Sequence, residues 1–149
     1  MHKTIFWIML SAALFIAPLA FAEPEDTPVG KKDFVSGAEI TDARFAAHIA
    51  REKEDLYFMD LASAFRWRSG ECIATQMACD ASLWVFDYYT RARIHMRAAY
   101  YVISKTVTTP RASGALAFAD EEGVKRFFKQ SGEAQTTTLD FDQMQEKFN

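Results

Sequence analysis

The chain has 149 residues, of which 50% are hydrophobic, 25% charged and 14% aromatic, with only 6 glycines and 4 prolines. This composition excludes collagen, low-complexity linkers and intrinsic disorder, which contain far fewer large apolar residues. The formal net charge of −3 argues against a nucleic-acid-binding protein, and two cysteines are too few for a disulfide-dense scaffold.

The first 22 residues have the three parts of a secretory signal peptide. A short positive head at residues 1–3 precedes an uncharged apolar run over residues 4–19, and the small residues of segment 20–22 mark a cleavage site. The run is shorter than the roughly 20 residues that span a bilayer, so we expect cleavage rather than a membrane anchor. The sequence therefore predicts a periplasmic protein without a stable anchor, in a compartment where thiols can pair.

The first half of the remaining chain is rich in short apolar runs. Residues 23–33 carry prolines and charges and are predicted to form a flexible leader. A helix is predicted over 61–68, because its apolar residues have helical spacing, Asp60 can cap it and Gly70 can end it. Residues 71–82 are ambiguous between helix and loop and contain both cysteines. Strands are predicted over residues 34–40, 44–51 and 56–60, with a charged turn at 52–55.

The second half repeats these patterns. A helix is predicted to begin after Asp120 and to end at Gly132, with Val124, Phe127 and Phe128 on one face. The tail from residue 142 is predicted to be a short helical turn. Strands are predicted over residues 83–87, 98–104, 115–119 and 136–141, with a turn over 87–93.

The order strand, strand, helix, strand thus occurs twice. We therefore predict the α+β class, with two small ββαβ modules that have mixed or antiparallel sheets. The modules cover about residues 34–82 and 83–149 and together form one domain over 34–149.

Several short segments, in this order and spacing, resemble one known family. They are residues 40–47 (ITDARFAA), 58–60 (FMD), 85–90 (VFDYYT), 99–102 (AYYV), 117–118 (AF), Phe127 and 139–142 (LDFD). The chain resembles the nitrous-oxide reductase accessory proteins, the NosL family, from about Ser36 to Met144. The resemblance implies a periplasmic protein of two ββαβ modules, a topology shared with organomercurial lyases. It also implies a copper(I)-binding accessory factor that supplies metal to the copper sites of nitrous-oxide reductase, and it does not imply catalysis.

This chain departs from the family where the family places soft ligands. The family has Cys-Gly-Met where residues 36–38 are Ser-Gly-Ala, and Pro-Met-Gly where residues 110–112 are Pro-Arg-Ala. Ser63 stands where many members have a helix cysteine, and the lipid-modified cysteine of many members has no counterpart. The resemblance therefore supplies the scaffold, whereas ligands have to be sought elsewhere in the sequence.

Copper(I) prefers thiolate, thioether and imidazole ligands, and one segment concentrates them. It contains Cys72, Met77 and Cys79. If the segment is helical, the two cysteines are about 10 Å apart along the axis, too far for one metal ion or one disulfide. If it is a loop, either can form. Three interpretations stay open: a structural Cys72–Cys79 disulfide, a copper(I) site that includes Met77, and separate or redox-active thiols.

Two other sites have alternatives of their own. The pair His95 and Met96 is a second soft site or, alternatively, an exposed surface pair. His48 is interpreted as a half-buried structural histidine rather than a ligand, and Met59 as a core residue; Met77 has the same alternative as a core residue. The arginines that follow the predicted turn form a solvated turn or a surface for an anionic partner: Arg91, Arg93 and Arg97.

The sequence has no Ser-His-Asp order, phosphate-binding glycine loop or HExxH helix, so we do not expect an enzyme. The first hypothesis is an accessory protein that binds a partner, such as the copper enzyme nitrous-oxide reductase, and binds copper(I). Its proposed ligands are Cys72, Met77 and Cys79, with His95 and Met96 as further candidates. The alternative is a metal-free scaffold or interaction module with a disulfide. A thiol-dependent lyase, suggested only by shared topology, would need Asp80 or Asp87 beside both thiols.

Overall fold

Two antiparallel sheets and three α-helices make up the part of the chain that the computed structural model describes, residues 27–75 and 82–149. The predicted α+β class is confirmed. The strands are β1 (Ala47–Ala50), β2 (Asp55–Phe58), β3 (Ser82–Phe86), β4 (Arg93–His95), β5 (Tyr100–Ile103) and β6 (Ala115–Phe118). The helices are α1 (Leu61–Thr75), α2 (Glu121–Ser131) and α3 (Phe141–Lys147).

The larger sheet has the strand order β2-β1-β3-β4, and all of its pairs are antiparallel. Helix α1 lies between β2 and β3 in the chain, so β1, β2, α1 and β3 form one ββαβ unit. Strand β3 begins at Ser82, on the proposed module boundary, and is hydrogen-bonded to β1. The boundary itself stays a prediction.

The smaller sheet pairs β5 with β6, and α2 follows β6. On the other edge of β5, Tyr101 exchanges both backbone hydrogen bonds with Leu139, at 2.9 and 2.8 Å. The order strand, strand, helix and extended segment therefore occurs here as well, with the first strand in the middle as in the larger sheet.

One apolar core joins the two sheets. Alternate residues of the larger sheet, such as Ile49 in β1, point toward α1 and are fully buried. Tyr101 of β5 and Phe141 of α3 belong to the same core cluster, so side chains of both sheets and of two helices share one interior. Burial of this apolar area is the main source of stability.

The prediction for α2 is confirmed at both ends. The Asp120 carboxylate accepts a hydrogen bond of 2.7 Å from the Gly123 backbone N–H and so caps the helix. Gly132 ends it in the left-handed conformation, with φ +70°.

Two predictions in the first half are corrected. Residues 34–40 form a turn rather than a strand, because the carboxylate of Asp33 holds Ser36 and because Gly37 has a φ of +70°. Helix α1 continues past Gly70 to Thr75. A single glycine inside a helix costs only about 1 kcal/mol, which the packing of the preceding turns can offset.

Two further segments also differ from prediction. Strand β4 begins at Arg93, a residue that was predicted to belong to a turn. Over the predicted strand 136–141 only Leu139 makes a bridge, and Phe141 already begins α3. Asp140 caps α3 and forms a capping box with Gln143. The helix therefore begins where the strand was predicted to end.

Among the described helices, none combines the length and the apolar character needed to cross a bilayer.

Candidate functional site

The carboxylate of Asp33 is buried and joins three segments of the chain. Its Oδ1 accepts a hydrogen bond of 3.0 Å from the Met59 backbone N–H. Its Oδ2 accepts from the backbone N–H and the hydroxyl of Ser36, at 2.8 and 2.6 Å, and from Nη2 of Arg111 at 3.1 Å. The Asp33 side chain is fully buried, whereas that of Arg111 is 32% exposed.

These contacts set the charge of Asp33. Burial by itself raises the pKa of the carboxyl group, because it removes water from the charged form. The hydrogen bonds from Ser36, Met59 and Arg111 together outweigh burial and hold the pKa below its ordinary value of 3.8. Asp33 is therefore a carboxylate whose charge is balanced by the Arg111 guanidinium.

A second buried carboxylate, Asp60, lies at the start of α1. Its Oδ1 accepts from the Ala62 backbone N–H at 3.0 Å. Its Oδ2 accepts from the Thr109 hydroxyl at 2.8 Å and from the Arg111 backbone N–H at 3.0 Å. The β5–β6 connection is thereby fastened to the first turn of α1.

Arg111 belongs to both halves of this arrangement, since its backbone bonds to Asp60 and its guanidinium to Asp33. We call the whole arrangement the Asp33–Arg111 site. It consists of Asp33, Ser36, Met59, Asp60, Thr109 and Arg111. The turn at residues 33–37 and the loop at 109–112 therefore meet in space, although they are far apart in sequence.

The chemistry of this site suits a rigid ion pair rather than copper(I). The thioether of Met59 is its one soft donor, and the Ser36 hydroxyl lies 3.8 Å from that sulfur. The carboxylate oxygens already accept hydrogen bonds, and a guanidinium is held between the two loops. No group of three or more His, Cys, Asp or Glu side chains in residues 27–75 and 82–149 is arranged to hold a metal ion.

The thiol segment lies largely outside the described residues. The backbone of Cys72 belongs to α1, which continues to Thr75, and its side chain is not among those described. Met77 and Cys79 lie outside the described residues, as does Asp80. The assignment of Cys72, Met77 and Cys79 as ligands stays a prediction, and so does their alternative as a disulfide.

The two residues of the predicted His-Met site have different surroundings. His95 ends β4, and its Nδ1 accepts a 3.3 Å hydrogen bond from the Arg97 backbone N–H. Met96 is fully buried in the main core, so the interpretation of this pair as an exposed surface pair is wrong for Met96. The Met96 backbone carbonyl accepts a 2.7 Å hydrogen bond from the Tyr101 hydroxyl, which ties this part of the chain to β5. Their role as metal ligands stays a prediction.

His48 is more deeply buried than the predicted half-buried position, with 5% of its surface exposed. Its ring stacks on Tyr57 at 4.5 Å between centroids, and its Nε2 lies 3.2 Å from Oδ1 of Asp55. This packing agrees with a structural role.

Asp87, one of the carboxylates considered for a lyase, serves a turn. It accepts hydrogen bonds from the backbone N–H groups of Tyr89, Thr90 and Ala119 and from the Thr90 hydroxyl. Burial raises its pKa, but these hydrogen bonds outweigh burial and lower the pKa below 3.8. The group acts as a fixed acceptor that joins β3 to the end of β6.

Sequence reasoning identified Asp60 as a helix cap but missed Asp33, Thr109 and Arg111 as parts of one site. The spacing Asp33-x-x-Ser36-Gly37 is a local signal for a turn in which a carboxylate bonds to the residue three positions later. No comparable signal exists for Arg111, because its contact with Asp33 spans 78 residues.

Comparison with known proteins shows a likeness in fold. No protein-family model matches the chain, and no curated protein matches its sequence. Among solved structures, the chain is similar to the copper chaperone NosL from Shewanella denitrificans, with a TM-score of 0.58 and 15% sequence identity. The match covers 81% of this chain and 92% of the other. At this identity the likeness shows a NosL-like fold.

Proposed function

We propose that the protein is a periplasmic accessory protein that binds copper(I) as cargo and passes it to a partner protein. The observation that carries the proposal is the fold, which is similar over most of its length to that of a copper chaperone. The location is supported by the N-terminal pattern of a charged head, an apolar run and small residues before position 23.

The proposed ligands are Cys72, Met77 and Cys79, with His95 as a further candidate. Copper(I) takes sulfur and imidazole nitrogen in preference to oxygen, and these residues supply both kinds of donor. Met96 is the weakest of the candidate ligands named from the sequence, because its thioether is buried in the core. The Asp33–Arg111 site holds the turn at 33–37 and the loop at 109–112 together. It is not proposed as a copper site, because a bound cation there would compete with the guanidinium.

Anaerobic competition with a copper(I) chelator tests this proposal. The reduced protein should compete with bicinchoninate for copper(I) in the micromolar range, and Cys72→Ser or Cys79→Ser should weaken that competition at least about tenfold. Met59→Leu is the matched control, because it removes the sulfur of the Asp33–Arg111 site and should leave competition unchanged. If the unmodified protein does not compete, the copper part of the proposal is wrong.

The ion pair between Arg111 and Asp33 favours a second candidate, a metal-free interaction module of the same fold. A fixed guanidinium where the resemblance places a family methionine is suited to holding two loops rather than a metal ion. This candidate predicts a Cys72–Cys79 disulfide and no response to copper. Mass spectrometry with thiol alkylation on protein from the periplasm would show no free thiols in that case, and two free thiols would contradict it.

A further inference from the structure

The most exposed large apolar side chains of the described residues stand next to each other on one turn. Phe34 is 50% exposed and Val35 is 53% exposed. The ring of Phe34 lies 6.2 Å from that of Trp67, which is only partly buried against the core. We call Phe34, Val35 and Trp67 the turn patch. Side chains of this size usually face solvent singly, so an adjacent set needs an explanation.

The turn patch is held rigidly. The Phe34 backbone N–H donates to the Tyr57 carbonyl at 2.8 Å, and the Gly37 N–H donates to the Asp33 carbonyl at 2.8 Å. The Asp33 carboxylate holds the same turn through the Ser36 backbone N–H, and it also binds Arg111. A partner that docks here would meet a preformed surface, so little conformational entropy would be lost on binding.

Two cations lie beside the turn patch. The Arg51 guanidinium lies 5.6 Å from the centre of the Trp67 ring, and Lys31 Nζ lies 5.6 Å from that of Tyr57. Within residues 27–75 and 82–149, neither cation has a carboxylate at ion-pair distance. The adjacent Arg111 pairs with Asp33 and keeps part of its side chain at the surface.

We propose that the turn patch is the docking surface for a partner protein that presents an apolar side chain flanked by carboxylates. The apolar centre matches the aromatic and arginine composition of interface hot spots, and the cations at its rim are complementary to acidic residues. This inference rests on the proposed function and names the surface through which the accessory protein contacts its partner.

Peptide titration followed by NMR tests the surface directly. The ¹⁵N-labelled protein is titrated with a capped peptide of sequence Asp-Glu-Leu-Phe-Asp-Glu and, separately, with its counterpart in which lysine replaces each acid. The acidic peptide should produce saturable shifts in the amides of residues 33–37 and in the indole N–H of Trp67. The lysine peptide should produce none, and added salt should weaken binding of the acidic peptide.

Variants assign the binding to the turn patch. The double substitution Phe34→Ser with Val35→Ser should weaken binding at least about tenfold, because it removes the apolar anchors. Arg51→Glu reverses the charge at the rim, removes the contact of Arg51 with Trp67, and should weaken binding about fivefold. Tyr100→Ser, at an exposed aromatic residue of the smaller sheet, is the control and should have no effect. An amide spectrum of unchanged dispersion shows that each variant is folded.

Three results would overturn the inference. They are the absence of saturable shifts, equal binding of both peptides, and binding to phosphatidylglycerol vesicles through Phe34 without binding of the acidic peptide. The last result would make the turn patch a membrane contact. Copper(I) competition is measured on the same unmodified protein. If the acidic peptide does not bind while copper(I) competition is intact, only the turn patch is rejected, and the reverse outcome rejects only the copper part of the proposed function.

Discussion

Asp33 is a buried carboxylate whose hydrogen-bond donors come from three separate segments of the chain. Asp33→Asn keeps the size of the side chain but removes the charge that pairs with Arg111. Because a partner of a buried ion pair is lost, we expect the free energy of unfolding to fall by about 2–4 kcal/mol. Urea denaturation followed by circular dichroism measures this change.

Glu39→Gln is the matched control for Asp33→Asn. Glu39 also pairs with a cation, Lys32, but the two atoms are 3.9 Å apart and both side chains are mostly exposed. Exposed ion pairs of this kind contribute about 0–1 kcal/mol, so the free energy of unfolding should stay nearly unchanged. Equal effects of the two substitutions would show that burial of Asp33 is not what makes its contacts important.

Glu133 makes the fold sensitive to acid at one identifiable contact. Burial raises the pKa of its carboxyl group, but hydrogen bonds from the hydroxyls of Ser104 and Thr106 and from the backbone N–H groups of Lys105 and Thr106 outweigh burial and lower the pKa to about 2. Since the folded pKa lies below the unfolded value of 4.5, the stabilisation is complete above pH 4.5 and is lost as the pH falls toward about 2.

Glu133→Gln should therefore remove part of the pH dependence of stability. The difference in unfolding free energy between the unmodified protein and this variant should be largest above pH 4.5 and should shrink toward pH 2. Glu122→Gln is the control, at an exposed residue whose partner Lys125 is also exposed. Its unfolding free energy should change with pH in parallel with that of the unmodified protein. If the Glu133→Gln difference is constant with pH, the contact is not the cause.

The β5–β6 hairpin depends on a close approach of two backbones. Gly114 has a φ of +68°, and a Cβ atom built there would lie 2.2 Å from the Ser104 carbonyl oxygen. Gly114→Ala combines strain at a positive φ with a clash against backbone, so we expect a loss of at least about 3 kcal/mol in unfolding free energy. Thermal or urea denaturation is the measurement.

Gly132→Ala separates the two causes. Gly132 also has a positive φ, of +70°, but open space surrounds its Cα. Its substitution should cost only about 1 kcal/mol, the expected penalty of φ alone. A loss at Gly132 as large as that at Gly114 would show that the contact with Ser104 is unimportant.

The elements that sequence could predict are those whose signals are local. Helix α2 was predicted because its cap, its apolar face and its terminal glycine lie within one short segment. The helix predicted over residues 61–68 is shorter than α1, which ends at Thr75. Gly70 gives a local stop signal, and packing overrides it. The Asp33–Arg111 site depends on contacts over 78 residues, and a single sequence carries no signal for them.

The two sheets are connected by side chains as well as by the chain. Phe65 of α1 is fully buried, with its ring 5.5 Å from Tyr101 of β5 and 5.6 Å from Phe141 of α3. The Asp60–Thr109 hydrogen bond joins the start of α1 to the β5–β6 connection. A separate cluster packs the smaller sheet against α2, but the largest core cluster contains residues of both halves.

We therefore expect the molecule to unfold as one cooperative unit. The tryptophans of the described residues, Trp67 and Trp84, report on the larger sheet and α1, whereas far-ultraviolet circular dichroism reports on all helices and strands. Their urea midpoints should coincide. Phe65→Ala should lower the unfolding free energy by about 3–5 kcal/mol and move both midpoints together, because the cavity lies between the two halves. If the fluorescence midpoint moves while circular dichroism keeps a second transition at the original midpoint, the halves are independent, and the shared core does not couple them.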